Sequence, residues 1–420
     1  MPDTDLSEEE LAGLVRAYSA HRQRQAHAPD LEDRVVERLF APRRRRPIAR
    51  LVGACLVIAA VVAATAVALV IHERGTVAAE STDWHVVSIS GDGDLAGVDC
   101  VAAADCWAVG AGVSGAAVIE HYDGSQWTRV VGPDTGPGTT AALTAVTCVG
   151  ADDCWAVGSA GPTGESQSTL QPLTEHYTGS EWTIAATTGL GDGWLVGVTC
   201  PASNDCWAVG ASSLDSIGDT MPLFVHYDGQ GWAQVSNGSP VDQGTLASVT
   251  CVTATECWAV GNTNPGPGPA QDIGPGGLIE RYAGGSWTTV PGSTVGELSA
   301  VTCSSGTDCW AVGYSASGPV VEHYAGSSWT DASGIADQVV GDAVACSGPG
   351  ACWVVGYTVG GQPALEQLEG GSWVVPNSPS VPGGSGILYA VTCASATGCW
   401  AIGADLSDPT LQPLSETNGP

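Results

Sequence analysis

The hydrophobic pattern of the chain falls into two regimes. Residues 51–71 read LVGACLVIAAVVAATAVALVI, 21 positions without a charge. At about 1.5 Å per residue, a helix of that length spans a ~30 Å hydrocarbon core. From residue 84 onward the apolar runs are short and punctuated by Gly, Ser, Asp and Pro, the pattern of strands and turns. One unit shows the plan: Leu143–Cys148 (LTAVTC), Cys154–Gly158 (CWAVG), Leu173–Tyr177 (LTEHY) and a run opening at Trp182 predict strands a, b, c and d. The CWAVG run is apolar at every position rather than alternating. Such a strand is expected to be buried on both faces, as in a sheet sandwiched between neighbours.

This unit repeats seven times. Cys-x5-Cys-Trp-Ala-Val-Gly occurs at Cys100–Gly110, Cys148–Gly158, Cys200–Gly210, Cys251–Gly261 and Cys303–Gly313. Degenerate copies lie at Cys346–Gly356 and Cys393–Gly403. The first cysteines are 48, 52, 51, 52, 43 and 47 residues apart, a period that indicates propeller blades. The seventh copy has strands a and b and a weak c (Leu411–Thr417), but no strand d tryptophan before the chain stops. A spare one stands ahead of the first repeat, in Trp84-His85-Val86-Val87. The predicted fold is therefore all-β: a seven-bladed β-propeller over 84–420, closed by its N-terminal strand. Closure removes sheet edges that would otherwise pair with other chains. A parallel β-helix would need much shorter rungs.

A strand ending in Gly, then Tyr, then Trp five residues later (Tyr122/Trp127, Tyr177/Trp182, Tyr324/Trp329) resembles kelch and galactose-oxidase-type propellers. Those units usually carry a double Gly where this chain has Val-Gly, and they lack paired cysteines. The whole is also similar to Trp/Gly-repeat propellers of bacterial surfaces, a resemblance that implies architecture rather than activity. Asp123–Trp127 and Asp228–Trp232 look like the sialidase Asp-box, with the Asp spacing off by one.

The apolar run 51–71 is preceded by 50 residues and is too long for the core of a cleaved signal peptide. It reads as an uncleaved transmembrane helix, with a juxtamembrane linker over 72–83. Arg43–Arg46 and Arg50 flank one side; His72, Glu73 and Arg74 flank the other. The positive-inside rule places the N-terminus in the cytoplasm and the propeller outside. Residues 1–50 form a short tail with two helical patterns, one opening with the capping box Ser7–Glu10. The tail reads either as a dock for a cytosolic partner or as a frayed juxtamembrane segment.

Composition sharpens this. The net charge is −31, and residues 75–420 hold 34 Asp and Glu against Arg129 and Arg281, with no Lys anywhere. An acidic surface repels phosphate backbones, which excludes nucleic acid as a partner of this region. Fourteen of the fifteen cysteines form repeat pairs: Cys100/Cys106, Cys148/Cys154, Cys200/Cys206, Cys251/Cys257, Cys303/Cys309, Cys346/Cys352 and Cys393/Cys399. Outside a membrane, such pairing indicates disulfides. Each is expected where strand a ends and strand b begins, between opposed residues about 4.5–5.5 Å apart, worth on the order of 2 kcal/mol. Two thiolates per blade cannot make a four-ligand zinc site. Cys55 lies in the span.

No catalytic, cofactor or metal constellation is marked. A sialidase-like site needs three arginines, and a copper site of the galactose-oxidase kind needs a spare Cys. His121, His176, His226 and His323 share one repeat slot, and Glu120, Glu175, Glu280, Glu322, Glu366 and Glu416 share another. Residues in one slot are spread around a ring and read as structural. Gly91-Asp92-Gly93-Asp94 lacks a full calcium loop. Loop lengths are more telling. Every a–b loop has five residues between its cysteines, and every step from Tyr (or Leu368) to Trp is five, so one rim is uniform. The b–c and d–a segments vary, the longest being Ser159–Gln171, Ala211–Pro222 and Asn262–Gly277. Functional loops project from rigid scaffolds, so the irregular rim is the expected binding face. The ligand class is a glycan, a peptide or an envelope protein. The alternatives are an extracellular carbohydrate-active enzyme, which needs carboxylates converging within roughly 5–10 Å, and a sensor signalling to the tail.

Overall fold

The computed structural model describes residues 84–163, 169–187, 189–213, 220–235, 243–263, 276–292, 296–332, 334–335, 339–376, 384–407 and 411–419. The tail (1–50), the span (51–71) and the linker (72–83) lie outside the described residues. Among the described residues no helix is long and apolar enough to cross a membrane.

The chain forms seven four-stranded antiparallel sheets. In blade 1, strand a is Asp94–Ala102, b is Asp105–Ala111, c is Ala117–Tyr122 and d is Trp127–Val130. Blades 2 to 6 repeat this order over 139–184, 193–234, 244–289, 297–331 and 339–374. Blade 7 takes strands a to c from 386–417, and its strand d is His85–Val86. That strand pairs His85 with Thr417 and Val86 with Glu416. The two ends of the propeller thus share one blade, as the repeat pattern requires. Each strand a packs beside strand a of the next blade, and that of blade 7 beside that of blade 1. The a strands form the innermost ring.

Tryptophan holds the blades together. The strand b Trp of each blade meets the strand d Trp of the next edge to face. The pairs are Trp107–Trp182, Trp155–Trp232, Trp207–Trp287, Trp258–Trp329, Trp310–Trp373, Trp353–Trp84 and Trp400–Trp127, with centroids 5.1–5.6 Å apart. Fourteen of the fifteen tryptophans are used this way. Such contacts contribute about 0.5–1.5 kcal/mol each beyond their buried area.

The glycine ending each CWAVG run has a steric cause. Every strand a carries a one-residue bulge, at Val196 in blade 3 for example, which brings its backbone over strand b. A Cβ at Gly210 would lie 2.1 Å from the Trp194 carbonyl oxygen, and the other six repeat glycines give 1.9–2.0 Å. No side chain fits there.

All seven cysteine pairs lie at bonding distance, S–S 1.94–2.07 Å. Their position corrects the expectation from spacing, which has Cys106, Cys154, Cys206, Cys257, Cys309, Cys352 and Cys399 open strand b. Each is instead the second residue of that strand. The reason is that only two of the five residues between the cysteines make the turn. Strands a and b continue past the pair, Ala102 pairing with Asp105 in blade 1. The staple therefore sits inside the hairpin, and its Cα atoms are only 4.0–4.1 Å apart rather than 4.5–5.5 Å. A second bulge follows the first cysteine, and strand a bends there.

The two cysteines of a pair also differ in depth. Cys100, Cys148, Cys200, Cys251, Cys303, Cys346 and Cys393 are half-buried, whereas the seven second cysteines are fully buried. Each second cysteine packs in the same cluster as the strand b Trp of the preceding blade. Cys106 lies with Trp400, Cys154 with Trp107, Cys206 with Trp155 and Cys257 with Trp207. Cys309 lies with Trp258, Cys352 with Trp310 and Cys399 with Trp353. These cysteines are thus core residues of the seams as well as staples, and none faces a ligand.

Every staple joins strand a to strand b, so strand d of blade 7 is held without one, by two residue pairs, by Val87 N donating to Ser415 O at 2.9 Å and by Trp84, which is 3% exposed. Trp84→Ala is expected to cost about 3–5 kcal/mol. Hydrogen-exchange protection in the oxidised protein should fall first along Gln412–Thr417. Undiminished protection there would contradict closure by Trp84.

Candidate functional site, the rim of variable loops

The a–b and c–d turns share one rim and pack on each other. The c–d turns of blades 1, 2, 3 and 5 each have a glycine at φ 84–88°, namely Gly124, Gly179, Gly229 and Gly326. That left-handed conformation favours Gly. A Cβ on any of them would fall 2.9–3.1 Å from the a–b turn residue beneath, Ala104, Asp152, Asn204 or Thr307. The Asp-box-like residue has a local role. Asp123 accepts the N–H groups of Ser125 and Gln126 at 2.9 and 3.0 Å, and Asp228 those of Gln230 and Gly231. The Ser125 hydroxyl and these amides lower the Asp123 carboxyl to about 2. This is turn chemistry.

The histidine slot is structural. His121, His176, His226 and His323 each hydrogen-bond the Asp before the second cysteine, Asp105, Asp153, Asp205 and Asp308, at 2.7–2.8 Å. Each also lies over its own blade's strand b Trp, centroids 4.0–4.3 Å apart. Blade 4 keeps the geometry with other residues. Arg281 bonds Glu256 at 2.5 Å and sits 5.1 Å over Trp258, a cation–π contact. The glutamate slot is more deeply buried than the sequence implied: all six side chains are 0–1% exposed. Val225 takes that place in blade 3.

The opposite rim carries the b–c and d–a segments. The central parts of the three longest b–c loops, 164–168, 214–219 and 264–275, lie outside the described residues. Their roots are tied to neighbouring blades. Gly193 N donates to Leu170 O at 2.7 Å, joining blades 3 and 2, and the Thr220 hydroxyl to Gly244 O at 3.2 Å, joining blades 3 and 4, while Thr163 N to Gly138 O at 2.8 Å extends the a–b ladder within blade 2.

Sequence reasoning missed the inner end of this rim. A leucine (Leu95, Leu143, Leu195, Leu246, Leu298, Leu388) recurs near the start of strand a, with Gly341 in blade 6. The residues flanking it do not repeat. They include Asp94, Trp194, Thr245, Glu297, Ser299, Asp342 and Tyr389, all buried. Varied residues around a constant leucine were the available signal. Trp194 is the one tryptophan outside the seven pairs, and it packs with Val196 and Ala211.

Neither propeller arginine is free for a substrate carboxylate. Arg129 is paired with Glu120 and Arg281 with Glu256, on blades 1 and 4. Among the described residues no three His, Cys, Asp or Glu side chains gather closely enough to hold a metal. Of the Gly91–Asp94 run, Asp92 is exposed and Asp94 is buried at the start of strand a.

No family model and no curated protein matches the sequence. Solved structures match the fold. YCF48 from Cyanidioschyzon merolae is 16% identical with a TM-score of 0.52, covering 80% of this chain and 98% of that one. YCF48 bound to D1 peptide is 13% identical with a TM-score of 0.52, covering 80% and 96%. The RRP9 WD40 repeats are 9% identical with a TM-score of 0.55, covering 80% and 97%. At these identities the likeness shows the fold alone: a seven-bladed propeller with WD40-type structural neighbours.

The blade 4 variation is testable by exchange. Glu256→Asp and Arg281→His should each destabilise, while the double variant, which copies blades 1, 2, 3 and 5, should recover about 0.5–1 kcal/mol in a denaturant double-mutant cycle. Strict additivity would show that the pair is not one unit.

Proposed function

We propose that this chain is a membrane-anchored, exported protein whose propeller binds a peptide segment of a protein partner at the variable rim. The observation that carries this reading is the contrast between the rims. One keeps constant turn lengths, with turn packed on turn in blades 1, 2, 3 and 5; the other varies in length and residue type along the chain. Propellers serve widely as protein-binding modules, and one neighbour of the same fold is YCF48 bound to D1 peptide. The charge of residues 75–420, 34 acids against two arginines, favours a segment carrying Lys and Arg. The 51–71 run and its arginine-rich N-terminal flank support a single-pass anchor with a cytoplasmic N-terminus. Seven cysteine pairs with none spare beyond Cys55 support an oxidising compartment. The finer resemblance to kelch propellers rests on the Gly–Tyr–Trp spacing.

The test uses the full chain in nanodiscs against arrays of basic and acidic peptides. Basic peptides should bind, more weakly at high salt. Replacing 159–171, 211–222 and 262–277 with the short b–c connection of blade 5 should weaken binding at least tenfold, with unchanged tryptophan fluorescence. Asp123→Ala, on the uniform rim, should leave it intact. Binding that survives all three replacements, or turnover of a glycan panel, would overturn the proposal.

A further inference from the structure

Five of the six slot glutamates are engaged. Glu120 pairs with Arg129, and Glu280 accepts from Thr289 at 2.7 Å. Glu322, Glu366 and Glu416 also have interactions. Glu175, on strand c of blade 2 (Gln171–Tyr177), is the exception. It is 0% exposed, and neither carboxyl oxygen has a hydrogen-bond partner among the described residues. It shares a sheet face with Leu173 and Tyr177, which pack against blade 1. Every residue of blade 1 is described.

The residue opposite on strand d supplies the cause. Glu120 faces Arg129 and Glu280 faces Thr289, the partners they bond, whereas Glu175 faces Ile184, which has no side-chain donor. From blade 1, Gly132 lies against Glu175: a Cβ there would come 3.9 Å from Oε2 and 3.3 Å from Ile119 Cδ1. The next residue, Pro133, has no N–H to donate.

We propose that the seam between blades 1 and 2 is a proton-controlled contact, sealed when Glu175 is a neutral acid and loosened when it is a carboxylate. An unpaired carboxylate in an apolar seam is far more costly than a neutral carboxyl. Burial alone pushes the Glu175 carboxyl up to about 7. The charged groups on the elements packed against it already have partners. Glu120 holds Arg129 on blade 1, His176 holds Asp153 on its own sheet, and the exposed Asp134 accepts the Gly136 N–H. The sign follows from proton linkage. Between the unfolded value, about 4.5, and about 7, the folded chain keeps a proton that the unfolded chain releases. The stabilisation is complete below the lower value and is lost as pH rises through the upper one. The seam also reaches the variable rim, because Ala141 N donates across it to Gly115 O at 2.8 Å, in the b–c loop of blade 1. The inference holds whether or not that rim binds a peptide.

Hydrogen exchange on the full chain tests it, read as protection factors at pH 5.5 and pH 8.0. The amides of Gln171–Tyr177 should lose at least tenfold protection at the higher pH. Those of Gly277–Ala283, where Glu280 is engaged, should not. Glu175→Gln should abolish the difference, and Ile184→Thr, which copies the Glu280–Thr289 pair, should reduce it. If Glu175→Gln fails to fold, the comparison of the wild type with Ile184→Thr still decides. A pH-invariant wild-type seam, an equal loss on both strands, or a dependence that persists in Glu175→Gln would overturn the proposal.

Discussion

The edge-to-face tryptophan contact between successive blades is the interaction on which the rest of this structure depends. It needs a Trp on strand b of one blade and a Trp on strand d of the next. Each strand b Trp is then enclosed on two sides. In most blades its own sheet supplies a His or Arg over the ring, and in most seams the following blade supplies a Tyr and the edge of a Trp. One large, flat, weakly polar side chain satisfies all of these neighbours. A chain with 15 Trp but only 2 Phe and 2 Met is the composition that results. The contact also dictates where the ends of the propeller go, because Trp84, ahead of the first repeat, supplies the edge that meets Trp353.

The difference between the rims follows from the same order. The inner hairpin is fixed by its cysteine pair and its bulges, and in blades 1, 2, 3 and 5 the outer turn rests on it through a glycine at close approach. Lengthening either of those turns would lift one off the other. Among the described residues the opposite rim has no such stacked turns. Its segments need only deliver the next strand, so their length is free. Uniformity at one rim is therefore a packing constraint, and variability at the other is its absence, which is where binding chemistry can be placed without disturbing the seams.

Much of this was legible in the sequence. The repeat, the blade number, the shared last blade and the cysteine pairs follow from residues at fixed spacing. What was not legible has physical reasons. Bulges leave no composition signal of their own: Val196 and Tyr389 look like ordinary strand residues, and only the glycine opposite betrays them. The cysteine pair was expected at the end of the hairpin because a pattern of residue types does not show how far pairing continues past it. The burial of Cys106 and its six counterparts against the neighbouring blade was hidden for the same reason. The slot glutamates were legible as structural but not as buried to 0–1%, since a lone acid in an otherwise apolar strand gives no depth. The exception at Glu175 was written in the chain as Ile184, where blades 1 and 4 carry Arg129 and Thr289, but its meaning needed the strand register and the depth of the seam.

Covalent and non-covalent cohesion are divided in this fold. All seven cysteine pairs lie within blades, and none spans a seam. Oxidation therefore stiffens each blade without fixing blades to one another. The soft coordinate of the oxidised propeller is the separation of neighbouring blades, and its stiffness at each seam is set by what that seam buries. Six seams have the tryptophan pair together with an engaged glutamate or a valine. The seam between blades 1 and 2 has the same pair together with an acid that lacks a partner. A seam of this kind is weakest when the acid is charged, so in a ring of nearly equal blades the protonation of one side chain selects where the ring yields.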